Sequence, residues 1–249
     1  MIIKNNWIMA GLLMLLLPLT ACSEAGMNTY TNKPTDFFDD PSVIKIAISA
    51  MGGNEKAVSE LMKEGVNINH QGKDGMTPLL WVLGEKSEKG FGLLLKLGAN
   101  PNLPVATGGS VMTFAASADN PNYLKVALEN GGDANYFHPK RKRNVIFDAI
   151  SPGHLEHLQL LLEHGAEINA QDGTGDTPLI AAASLNQYDI VYQLLEHGAD
   201  FRLGNRWGKT IKDRIENNNI SKSSELYHWR SKVIKYLEQN GVNVSPRVK

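Results

Sequence analysis

The chain has 249 residues and nearly balanced charge, 25 lysines and arginines against 26 aspartates and glutamates, so its net charge makes no case for nucleic-acid binding. It is 42% apolar and 20% charged, as in an ordinary folded domain, with no low-complexity tract; the one basic run is Lys140-Arg141-Lys142-Arg143. Its single cysteine, Cys22, rules out an internal disulfide framework.

The first 21 residues read as a targeting segment. Lys4 supplies positive charge, and residues 8–17 are almost wholly apolar but too short to span a bilayer comfortably. The segment ends in Leu19-Thr20-Ala21-Cys22, which resembles the lipobox of bacterial lipoproteins. That resemblance implies cleavage before Cys22 and lipidation of its thiol and new amino group; an ordinary secretory signal is the plainer alternative. Ser23, rather than Asp, follows the cysteine, which by resemblance to enterobacterial sorting implies the outer membrane, with the protein facing the periplasm. Attachment by more than one acyl chain is stable where a single chain is marginal. Residues 22–40 are expected to be the lipidated cysteine and a flexible tether. About 13 polar residues there give an r.m.s. reach of roughly 20 Å.

A repeat governs the rest. Thr77-Pro78-Leu79 returns as Thr177-Pro178-Leu179, with weaker copies at Ser110, Asn144 and Thr210, at steps of 33, 34, 33 and 33 residues. Gly65, Gly98, Gly131, Gly165 and Gly198 keep the same beat, each after an apolar helical run. Such a period means stacked supersecondary units. Six units are expected. They span about 41–69, 72–102, 105–135, 139–169 and 172–200, with a sixth from Asn205. The sixth lacks the proline, and its closing Gly241 lies 43 residues after Gly198, so roughly ten residues are expected to be inserted between its helices.

This pattern resembles the ankyrin repeat, T-P-L-H-x-A followed by a second helix ending L-L-x-x-G-A-x-x-N. The match is best at residues 172–200 and covers nearly all of 41–244. Each element has a physical cause. Thr caps orphan N–H groups, Pro at the first helical position loses nothing, and Gly in the left-handed conformation ends the second helix. The implied fold is an all-α solenoid of about six helix-turn-helix units with short turn or hairpin loops, over residues 41–249, closed by an atypical capping repeat. Tyr227, Trp229, Val233, Ile234, Tyr236 and Leu237 are expected to seal its last interface.

Chemistry has little footing. No H-E-x-x-H, G-x-S-x-G or phosphate-loop motif is present. His154 and His157, three apart, can share a helix face, which admits a metal reading. However, Gly153-His154 falls where the ankyrin pattern carries Gly-His between helices. No metal, cofactor or enzymatic activity is expected. Trp81 and Phe114 share a register that points into the stack, whereas Trp207 lies in a turn and projects outward.

The resemblance places a binding surface on the turn tips and first-helix face. The expected tip residues are Lys73, Asp74 and Met76; Lys140, Arg141 and Arg143; Thr174 and Asp176; and Arg206, Trp207 and Lys209. The tips are mostly basic. Arg141, Arg143 and Arg206 can form bidentate pairs with a protein partner's carboxylates, with Trp207, Tyr136 and Phe137 as aromatic anchors. Attraction to anionic lipid and a merely solvated loop are the alternatives. Lipid-anchored repeat proteins of this kind resemble immunity proteins that neutralise periplasm-acting effectors, including phospholipases and other toxins delivered by type VI secretion. The alternative is a scaffold or protective partner of a resident envelope enzyme, as in helpers of catalase-type enzymes.

Overall fold

A computed structural model describes residues 33–245, apart from 152 and 219. The targeting segment and Cys22 therefore lie outside the described residues. The compact unit begins at Pro34, earlier than the expected boundary at 41. A 3-10 turn, Pro34–Asp36, leads into Phe38, which is buried and belongs to the same core as the first repeat. Phe38 thus seals the first repeat at a position assigned by sequence to the tether.

Eleven α-helices follow among the described residues, two per repeat except in the fourth. The first repeat holds α1 (Pro41–Met51) and α2 (Glu55–Lys63). The second holds α3 (Pro78–Gly84) and α4 (Glu88–Lys96), and the third α5 (Val111–Ala116) and α6 (Pro121–Glu129). The fourth has a 3-10 helix, Val145–Ala149, before α7 (Leu155–Glu163). The fifth holds α8 (Pro178–Ser184) and α9 (Tyr188–Glu196). The sixth holds α10 (Ile211–Asn217) and α11 (Glu225–Gln239).

The caps are those the residue types dictate. Thr77 accepts the Leu80 amide at 3.1 Å and Thr177 the Ile180 amide at 3.3 Å, each ahead of a proline. Ser110 and Thr113 form a capping box at α5, and Thr210 and Asp213 form one at α10, two helices that lack the proline at their first position. Gly98 stops α4 with φ of 91°, a left-handed conformation that any Cβ would strain.

In the fourth repeat the expected first helix from Asn144 tightens into the 3-10 turn. Asn144 is committed instead to a two-residue antiparallel hairpin, β1 (Phe137–His138) with β2 (Arg143–Asn144), and its side chain makes no capping bond. The insertion in the sixth repeat is divided. Seven residues join α10 to α11, where three join α8 to α9, and α11 runs 15 residues against nine in α9.

No repeat could bury this core alone. Leu79, Leu94, Met112, Leu124, Ile146, Leu158, Leu161, Ile190 and Leu194 are almost wholly buried and belong to one continuous cluster running through the stack. The last interface is sealed by Val233 and Leu237, fully buried, with Tyr227, Trp229, Ile234 and Tyr236 half-buried against them. A buried arginine, Arg230, sits among them.

Candidate protein-binding edge

The turns before each first helix are fastened to one another. Lys73 donates its backbone N–H to the Phe37 carbonyl at 2.8 Å, and Ala106 does the same to Asp74 at 2.8 Å. Lys140 Nζ reaches the Ala106 carbonyl at 2.6 Å, and the Arg206 amide donates to Thr174 at 3.3 Å. Bonds therefore link the turns up to the fourth, and the fifth to the sixth, while the fourth and fifth adjoin where Gly173 faces the Lys142 side chain, so the turns form one row along an edge of the stack.

Local chemistry shapes each turn. In the fifth repeat, Asp172 Oδ1 accepts the amides of Thr174 and Asp176 at 2.7 and 3.0 Å, folding the turn around its own carboxylate. In the sixth, the buried Asn205 does the same for Trp207 and Lys209, and its amide donates to Asp176 Oδ1 at 2.7 Å. Trp207 is thus presented from a turn held internally by Asn205 and tied to the fifth turn, and it is 68% exposed.

Lys73, Asp74, Lys140, Arg141, Thr174, Arg206, Trp207 and Lys209 stand exposed on this edge, as sequence predicts. Three of the other expectations are corrected. Met76 is buried: the turn closes through the Gly72 amide on the Met76 carbonyl at 2.8 Å, and the side chain enters the core just before the Thr77 cap. Tyr136 is no surface anchor. It is buried with its hydroxyl on the Gly108 carbonyl at 2.9 Å, and burial raises its phenol pKa. Its neighbour Phe137 is the exposed ring, at 51%. Asp176 is only half-exposed, held by Asn205 and, at 3.5 Å, by Arg214.

Arg141 and Arg143 are not free forks either. Both guanidinium groups converge on Oδ1 of Asp148, whose carboxylate is buried, at 3.0 and 2.5 Å. They stay 40% and 32% exposed, so the pair is anchored from behind while its outer face meets solvent. His138, in β1 of this hairpin, is buried. Burial first, then the Arg141 charge, lowers its pKa.

Asp148 is the residue of this candidate edge that motif reading missed. It stands at the register of Trp81, Phe114, Ala181 and Arg214 in the other repeats, at steps of 33, 34, 33 and 33. Trp81 is buried and Phe114 half-buried, as their register implies. A carboxylate where aromatic residues stand in two of the earlier repeats, five residues past a basic run, was the available signal.

His154 and His157 stack at 4.3 Å between ring centroids at the start of α7. His157 is buried, and burial, then the adjacent His154, lowers its pKa. Among the described residues no group of three or more His, Cys, Asp or Glu side chains is placed to hold a metal.

The ankyrin-repeat family model matches residues 93–172 and 111–205, in three copies. Together with the stacked fold, this makes the chain an ankyrin-repeat protein. An ankyrin-repeat and KH domain-containing protein of Caenorhabditis briggsae is 29% identical over 163 residues, 63% of this chain and 6% of that protein's length. Protein PhlB of Serratia liquefaciens is 26% identical over 150 residues, 60% of this chain and 66% of its own length. The chain thus spans less than two thirds of these relatives. Among solved structures, the ankyrin-repeat protein EF0377 superposes with a TM-score of 0.64 at 25% identity, covering 79% of this chain and 98% of that one. An ankyrin-repeat domain of Acinetobacter baumannii AYE gives 0.66 at 20% identity, covering 82% and 98%.

Proposed function

We propose that this protein is a binding module for another protein, held in a bacterial envelope by lipid on Cys22, and that its partner is a periplasm-acting secreted effector such as a phospholipase, which it neutralises. The observation that carries the binding reading is the row of adjoining turns, most of them bonded to a neighbour, with Trp207 exposed at one end and basic side chains along it. A surface fixed by backbone bonds loses little freedom on association, and an exposed indole is the kind of side chain that dominates binding energy. The lipobox-like Leu19-Thr20-Ala21-Cys22 supports the anchor, and Ser23 supports the outer membrane as destination. Anchoring would confine the binder to the layer where such an effector acts and so raise its effective concentration.

The test is affinity capture from envelope extract with a Cys22→Ser form lacking residues 1–21, and mass spectrometry of what is retained. Recovery of a secreted lipase or other toxin, with killing of deletion cells only when they meet that effector, supports the proposal. Recovery of a resident enzyme whose activity falls on deletion replaces it with a scaffold role.

A further inference from the structure

The basic character of the turn edge is not spread along the stack. The first two turns, 72–76 and 105–109, carry one lysine and one aspartate between them. The last three, 137–143, 172–176 and 205–209, carry six lysines and arginines against two aspartates, in a chain whose net charge is −1. The three turns adjoin: a Cβ on Gly173 would lie 3.1 Å from the Lys142 Cβ, and the Arg206 amide bonds Thr174.

The carboxylates nearby are already spent on local donors. Asp148 holds Arg141 and Arg143, Asp172 holds its own turn, and Asp176 takes Asn205 and Arg214. Asp213 takes Lys209 at 2.9 Å and the Thr210 amide at 2.9 Å. Lys142 and Arg206 are exposed and make no side-chain hydrogen bond or ion pair among the described residues. Inside this edge, Ser184, Lys209, Arg214, Asn217 and Asn218 border a hollow of about 200 Å³ that also includes Asp213. The Arg214 Nε there is buried without a hydrogen-bond partner among the described residues. Exposed aromatic rings, Phe137 and Trp207, bracket the cationic stretch in sequence.

We infer that the turn edge of the fourth to sixth repeats docks an acidic segment of the protein partner, with carboxylates over Lys142, Arg206 and the Asp148-anchored arginines and an apolar side chain against Trp207. The inference rests on the protein-binding reading and names the chemistry of its partner. Arginines already oriented by Asp148 lose less freedom on pairing with a second carboxylate than free side chains would. Surplus positive charge on one edge of a neutral protein steers acidic partners and repels basic ones.

The test uses the compact unit, residues 34–249, and a labelled Glu-rich peptide of about ten residues, which extended spans roughly 35 Å. The peptide is expected to bind, and raised salt to weaken it as charge screening shortens to a few ångströms. The double variant Lys142→Glu with Arg206→Glu is expected to bind at least about tenfold more weakly, and Trp207→Ala to weaken a peptide carrying one Leu more than one without it. Among the described residues neither Lys142 nor Arg206 supports the fold by a side-chain bond, so an unchanged melting curve separates lost binding from lost folding. Failure of the peptide to bind, or equal binding by the reversed-charge variant, overturns the inference. Binding only to phosphatidylglycerol vesicles makes lipid the occupant and overturns it too. A captured partner indifferent to the double variant overturns the inference but leaves the protein-binding reading standing. Peptide binding without any captured protein overturns the protein-binding reading and, with it, the inference.

Discussion

The Asn135 Nδ2 donates to the Gly165 carbonyl at 2.9 Å, joining the end of the third repeat to the end of the fourth. Its Oδ1 accepts the Glu167 amide at 2.7 Å. Asn102 makes the same pair of bonds to Gly131 and Asp133, both at 2.8 Å, and Asn69 reaches Gly98 and Asn100. A carbonyl left over at a helix C-terminus and an amide just beyond it are thus satisfied by one side chain from the preceding repeat. We expect Asn135→Ala to cost about 1–3 kcal/mol. Thermal melts should drop by roughly 2–8 °C, with Asn102→Ala behaving alike.

Gly90 and Gly92 share α4 but should respond oppositely to alanine. Nothing lies within 4 Å of a Cβ at Gly92, so Gly92→Ala should stabilise by about 0.5–1 kcal/mol through helix propensity. At Gly90 a Cβ would meet the Ala50 carbonyl at 2.8 Å and the Ser87 hydroxyl at 2.9 Å, the same hydroxyl that caps the helix. Gly90→Ala should cost about 1–3 kcal/mol by forcing the first and second repeats apart. Denaturant midpoints of the two variants would settle the sign.

Arg230 is 1% exposed, yet only its Nη1 has a partner, the Asn218 carbonyl at 2.8 Å; Nε and Nη2 have none among the described residues. A buried cation so poorly satisfied is replaceable by an apolar chain of similar length. Arg230→Met is expected to match or exceed the native stability, whereas Arg230→Ala opens a cavity and costs about 2–4 kcal/mol. Equal damage by both would show that the guanidinium matters more than its stem.

The buried His157 should make the stack acid-sensitive. Burial and His154 lower its pKa in the folded state, while the Ala118 carbonyl and Asp119 oppose the shift. Its proton therefore binds the unfolded chain first. Stability is full above the unfolded pKa near 6.5 and falls as pH drops from there through the lower folded value. His138, depressed by burial and Arg141, adds to the same trend. His157→Leu should flatten the dependence of melting temperature on pH between about 7 and 5; an unchanged slope would assign it elsewhere.

Much of the architecture was legible because it is written in local rules repeated at a fixed interval. Thr77 and Thr177 cap helices, Gly98 ends one, and paired leucines face a neighbour, each for reasons contained in a few adjacent residues. Trp207 was legible as an exposed ring because a turn register fixes its direction. Register alone misplaced Met76 and Tyr136, since their burial depends on how each turn closes against the next repeat.

What the tertiary structure alone decided lies in contacts made across repeats or between residues of unlike register. Phe38 became core because, among the described residues, no repeat packs on that side of the first one, and this ring covers its apolar face. The sequence determined that a basic run opens the fourth repeat. Only the folded chain brought Asp148 beneath it, turning two arginines that read as free into an anchored pair. A 33-residue period specifies which positions face inward. It does not specify which charges meet, because that depends on side-chain reach across a hairpin that the period itself does not encode.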